Sequence, residues 1–139
     1  MKSATVCYVL RRVNTRSDPA LHEVGSRART QPPPPAIVFD ALTDPDRDPA
    51  RPWLVLLDDE QRPRVLEAAY PELVVWSSLW PRRPDARVRF ELASDGRAGS
   101  LVRWRLLVAE PLPDGSLLGH LRKRLNRLIN AELRYTFGQ

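Results

Sequence analysis

The chain has 139 residues, 42% hydrophobic and 28% charged, a balance that excludes disorder along most of its length. It can bury about two-thirds of its unfolded surface in one domain, and no apolar run reaches the roughly 18 residues of a membrane span. Its net charge of +5 is carried almost wholly by arginine, as coding bias would give, and nucleic acid is not expected as a partner.

Residues 1–18 are expected to form an N-terminal extension to a domain covering 19–139. In the extension Val6, Tyr8 and Leu10 alternate before Arg11-Arg12, so Thr5 to Val13 reads as an edge strand or a short helix. Its apolar run is too short for a secretory signal, and a cytoplasmic location is the expectation. After a turn at Ser17-Asp18-Pro19, Val24, Ser26, Ala28 and Thr30 alternate against Glu23, Gly25, Arg27 and Arg29. This predicts a first strand with a polar outer face.

Pro32 to Pro35 break any regular element, and Pro35 suits the first position of a helix, where an N–H would be unpaired anyway. Ala36 to Thr43 follows as a short helix with Ile37, Val38, Ala41 and Leu42 on one face. Asp44-Pro45 ends it, because a residue before proline avoids the helical region.

The pattern then turns β. Trp53 to Leu57 is a short apolar run, read as a strand and closed by a turn at 58–63. Arg64 to Tyr70 and Glu72 to Trp80 are strands parted at Pro71. In Arg87 to Leu92, Val88, Phe90 and Leu92 point one way and the charges the other. Ser94 to Gly99 makes a hairpin turn, after which Val102, Trp104, Leu106 and Val108 share a face and Arg103 and Arg105 take the opposite one.

Pro111 to Gly115 stop the sheet, and Asp114 or Ser116 caps a long helix from Leu117 to about Tyr135. Its inward stripe is predicted as Leu117, Leu118, Leu121, Leu125, Leu128 and Ile129, continued by Ala131 or Glu132. Arg122, Lys123, Arg124 and Arg127 form a basic row that could meet phosphates or an anionic membrane surface but is read first as a solvated face, and Gly138 is the expected terminator. The order is strand, short helix, five or six meandering strands and a long helix. That is an α+β fold in which a curved antiparallel sheet wraps around the C-terminal helix.

This order, together with Pro-Pro-Ala-Ile-Val-Phe-Asp-Ala-Leu-Thr-Asp-Pro (Pro34 to Pro45), resembles the SRPBCC superfamily. That group includes START lipid-transfer domains, birch-pollen-allergen-like proteins, polyketide cyclases and chaperone ATPase activators. Phe39, Asp40, Leu42, Thr43, Asp44 and Pro45 match its usual helix pattern. The resemblance implies a helix-grip fold, with the long helix across the sheet and a hydrophobic cavity between them. One departure is the short stretch between Pro45 and the meander, which implies a reduced wall or lid.

Chemical motifs are few. Six glycines form no Gly-x-Ser-x-Gly elbow, Walker loop or dinucleotide fingerprint. Cys7 is the one cysteine, so no internal disulfide can form. With only His22 and His120 beside it, no metal or cofactor is expected. The candidate ligand lining is Phe39, Trp76, Trp80, Phe90, Trp104, Leu121 and Leu125; the alternative is that these rings and leucines simply fill the core. His120, placed near the cavity mouth, and Glu67 are the candidates for moving a proton. The bland reading makes them a boundary histidine and an exposed strand carboxylate. Leu73, Val75 and Leu79 make the opposite face of the Trp76 strand apolar. The outer sheet face is therefore expected to be covered by the N-terminal extension or by a second subunit in a homodimer.

The expectation is a small hydrophobic or aromatic ligand, lipid- or polyketide-like, held between the C-terminal helix and the sheet. The alternatives are a cyclase- or dehydratase-type enzyme using the same pocket, and a partner-binding module of the chaperone-activator kind.

Overall fold

The computed structural model describes residues 20–138, and the readings made for residues 1–19 lie outside the described residues. Strand β1 (His22–Gln31) leads to helix α1 (Pro35–Thr43), followed by β2 (Val65–Ala69), β3 (Leu73–Trp76), β4 (Arg87–Ser94) and β5 (Ser100–Val108). Helix α2 (Gly115–Arg127) runs on through a π-helical stretch, Leu128–Leu133, and a last turn, Arg134–Thr136. The five strands make one antiparallel sheet in the order β1-β5-β4-β3-β2, so the first strand returns to pair with the last. Among the described residues no helix is long and apolar enough to cross a membrane.

Directly opposed residues of an antiparallel pair project to the same side. Val74, Phe90 and Trp104 therefore form one inner row across β3, β4 and β5, and Trp76, Val88 and Leu106 form the next. All six are 0–2% exposed. Phe90 meets the Trp76 ring edge-on at 4.7 Å, and Trp53 stacks on the same ring at 6.1 Å. Helix α1 adds Val38, Ala41 and Leu42 to this core, while α2 and its extension add Leu121, Leu125, Leu128, Ile129 and Leu133. Each of the larger aliphatic side chains among them contributes about 1.5–3 kcal/mol of burial.

The local signals hold. Pro34 stands at the N-cap position of α1 and Pro35 occupies its first turn. Asp114 caps α2 by accepting from Leu117 N at 2.8 Å, and Gly138 closes the helix end with φ at 92°. Trp76 Nε1 donates to Leu42 O at 2.8 Å, satisfying a carbonyl left over at the end of α1.

Five expectations are corrected. Trp53–Leu57 is not a strand, since among the described residues no strand lies beside it to complete a ladder; Trp53 and Leu54 turn inward, while Val55 and Leu57 remain exposed. Leu79 belongs to the core rather than the outer face, because β3 ends at Trp76 and a turn through Ser77 and Ser78 breaks the alternation. Ile37 is exposed although it was placed on the buried face of α1. The stripe of the last helix passes through Asn130 and Leu133, leaving Ala131 exposed. A wide π turn inserts one residue into the 3.6-residue period and carries the buried face one position on.

The fifth concerns β1. Arg27 lies opposite Trp104 and Arg29 opposite Val102, so the two central arginines of this strand share the inner side of the sheet, whereas Ser26 and Ala28 lie opposite the outward Arg105 and Arg103. β1 is an edge strand, and its long side chains reach the C-terminal helix. Arg29 Nη1 donates to Asn130 O and Gln31 Nε2 to Ile129 O, two carbonyls of the π-helical stretch. The outer face carries a charge ladder in which Glu91 bonds Arg89 and Arg105, and Arg105 also bonds Glu23.

Candidate functional site

Six residues of the expected lining, Trp76, Trp80, Phe90, Trp104, Leu121 and Leu125, are 0–2% exposed and pack into one cluster. None of the six lines the groove between α2 and residues 53–57. Phe39 sits at the margin of this cluster, edge-on to the exposed Tyr70 at 5.0 Å. The buried Ser78 is spent locally, its Oγ donating to Trp80 O and accepting from Trp80 N.

An open groove lies beside the core, between α2 and the arm 53–57. It encloses about 460 Å³ and is walled by Trp53, Val55 and Leu57 on one side and His120, Lys123 and Arg127 on the other. That volume lies within the roughly 300–1,000 Å³ of small-molecule sites. The arm is held by Arg124, which the sequence placed in the solvated row. Its guanidinium is turned inward, donating to both carboxylate oxygens of Glu60 at 2.6 and 2.8 Å and to Val55 O at 2.7 Å. Glu60 in turn accepts from Leu57 N at 2.9 Å. With the backbone anchored at both residues, Val55 and Leu57 remain 61% and 47% exposed.

His120 lies on the groove wall with Nε2 3.0 Å from Asp59 Oδ2, both side chains about half exposed. Glu67 is placed elsewhere, on the edge strand β2 opposite Val75 and hence on the outer side of the sheet. The two proton-transfer candidates are not brought together. Glu132, also on the groove wall, pairs with Arg127. Among the described residues no cluster of three His, Cys, Asp or Glu side chains is placed to hold a metal. The sequence reading missed Trp53, Val55 and Leu57 as a wall; their signal was an apolar run between Pro52 and Asp58.

This arrangement, a short helix after the first strand and a long C-terminal helix laid over an antiparallel sheet, defines a helix-grip protein. That helix-grip fold is shared with several solved structures. Similar solved structures include CalU16 from Micromonospora echinospora, with a TM-score of 0.63, 17% identity, and 87% of this chain and 85% of that one covered. The Aha1 dimer from Colwellia psychrerythraea follows at 0.61 and 12% identity, covering 81% and 93%. An HSP90 activator from Plasmodium falciparum gives 0.53 and 16%, covering 78% and 89%. No protein-family profile and no curated protein matches the chain.

Proposed function

We propose that the protein binds a small hydrophobic or aromatic molecule in the groove between α2 and the arm 53–57. The observation that carries this is the exposure of Val55 and Leu57 beside Trp53, on an arm that the buried Arg124–Glu60 pair holds open toward the helix. Apolar surface held rigidly across from a helix gains about 25 cal/mol per Å² when a ligand covers it. The core residues Trp76, Phe90, Trp104, Leu121 and Leu125 form the wall behind Trp53 in this reading, and Phe39 lies at its margin.

The neutral dye N-phenylnaphthylamine tests it. Its fluorescence should rise on titration with the protein, and the double variant Val55→Ser/Leu57→Ser should weaken binding about tenfold. A dye that does not bind, or that binds the variant as tightly, removes the proposal.

Two other readings each have one observation behind them. The His120–Asp59 pair at the groove wall suits a proton-transfer step of the cyclase or dehydratase type, since a carboxylate orients an imidazole for that work. His120→Ala would then abolish turnover while dye binding survives. The packed core suits a partner-binding module, and an HSP90 activator is among the similar structures. In that case Val55→Ser/Leu57→Ser would weaken capture of a protein segment while the dye bound neither form.

A further inference from the structure

A second cleft opens between β1 and α2, with Lys123 on the ridge that it shares with the apolar groove. It encloses about 590 Å³ and is lined by Gly25, Arg27, Trp104, Arg122, Lys123 and Asn126. We propose that this cleft is a binding site for the phosphate group of a small molecule or lipid. The proposal does not depend on the apolar groove being occupied.

Charge is the first argument. Among the described residues the cleft's lining brings together three cations, Arg27 from β1 with Arg122 and Lys123 from α2, and no acid. Arg27 and Lys123 have no hydrogen-bond or ion-pair partner among the described residues. By contrast Arg47, Arg62, Arg83 and Arg105 each meet a carboxylate. Cations gathered from two elements without a counter-charge repel one another, and a dianion relieves that repulsion.

Placement is the second argument. β1 bulges between Glu23 and Gly25, and Arg122 Nε donates to Val24 O there at 2.7 Å. The Arg122 side chain crosses the strand at Gly25, where a Cβ would come within 3.0 Å of its Cγ and Nε. The guanidinium is thus fixed at the cleft by one bond, and its two Nη groups have no partner among the described residues. An arginine fork meets two phosphate oxygens at once, with lysine as a point charge beside it.

The floor supplies the third. Trp104 is 2% exposed, and its buried indole Nε1–H has no acceptor among the described residues. Buried donors are nearly always paired, and an acceptor entering the cleft would pair this one. Because the ring itself is buried, it offers no platform for stacking bases, which sets the site apart from a single-strand surface.

The test is an amide-shift titration of the isotope-labelled full chain with inorganic phosphate at low salt. Shifts are expected at Gly25 to Arg27, at Arg122 to Asn126 and at the Trp104 indole. Arg27→Gln/Lys123→Gln, which changes only exposed side chains, should weaken binding about tenfold. Co-sedimentation with phosphatidylcholine vesicles, with and without phosphatidic acid, separates the sources. Phosphatidic-acid-dependent binding that the double variant loses assigns a lipid headgroup, and binding of free phosphate alone assigns a soluble ligand. Shifts spread over Arg82, Arg97 and the other outlying arginines, unchanged affinity in the double variant, or binding in neither assay overturns the proposal.

Discussion

Arg124 and Glu60 form a two-bonded ion pair shut away from solvent, at 2.6 and 2.8 Å, with the Glu60 side chain 0% and the Arg124 side chain 9% exposed. The pair ties a helix to an arm 64 residues away in the chain, and the candidate groove exists because of it. Removing one partner strands the other as a buried charge. Glu60→Gln and Arg124→Met should each cost about 3–5 kcal/mol in urea unfolding. The double variant Glu60→Leu/Arg124→Met should cost less than the sum of the singles. Strict additivity would mean the two charges do not depend on each other.

The wide turn in the last helix makes a register prediction. Leu133→Ala should lose about 2–5 kcal/mol, because a fully buried leucine is removed. Ala131→Gln, on the exposed side, should change stability by no more than about 0.5 kcal/mol. The opposite ranking would show that the 3.6-residue period continues unbroken through 128–133.

Glu91 should contribute a pH dependence. The hydrogen bond from the Arg105 guanidinium holds its carboxyl below the usual carboxylate range; partial burial opposes this and Arg89 reinforces it. A carboxyl depressed in the folded state binds its proton more readily when unfolded, so stability rises with pH between the two values. Its contribution is complete above the ordinary glutamate value of about 4.3 and is lost as pH falls through the lower folded value. The side chain is 35% exposed, so solvent screening limits the effect to about 0.5–1 kcal/mol. Glu91→Gln should lower the midpoint of thermal unfolding at neutral pH and flatten the acid limb; an unchanged limb would discount the ladder.

Trp76→Phe keeps an aromatic ring between Trp53 and Phe90 but leaves Leu42 O without its donor. The loss should be about 1–3 kcal/mol in denaturant unfolding, most of it the cost of an unpaired carbonyl. A neutral substitution would mean that water reaches the end of α1.

Much of the fold was legible because its signals are local. Alternation in 87–92 and 101–108 assigned the inner face of β4 and β5, and Pro35, Asp114 and Gly138 marked helix ends within a turn of where they lie. Neighbouring residues alone set those preferences. The site was far less legible. Of the groove walls, His120 was named as a site candidate and Lys123 and Arg127 as part of a solvated row, but Trp53, Val55 and Leu57 read as an ordinary strand. Whether an apolar run pairs in a sheet depends on a neighbour that the run itself does not encode.

By itself, then, the sequence determined the order of the elements, their caps and the hydrophobic face of the central strands, because each follows from contacts a few residues apart. Only the tertiary structure decided that Arg27 turns toward the helix, that Arg124 is buried, that the last helix widens by a residue, and that His120 and Glu67 lie apart. The side of Arg27 is set by its strand neighbour Trp104 on β5, and the burial of Arg124 by Glu60, 64 residues away in the chain. An isolated arginine has no inward or outward side until a carbonyl or carboxylate is brought within 3 Å of it.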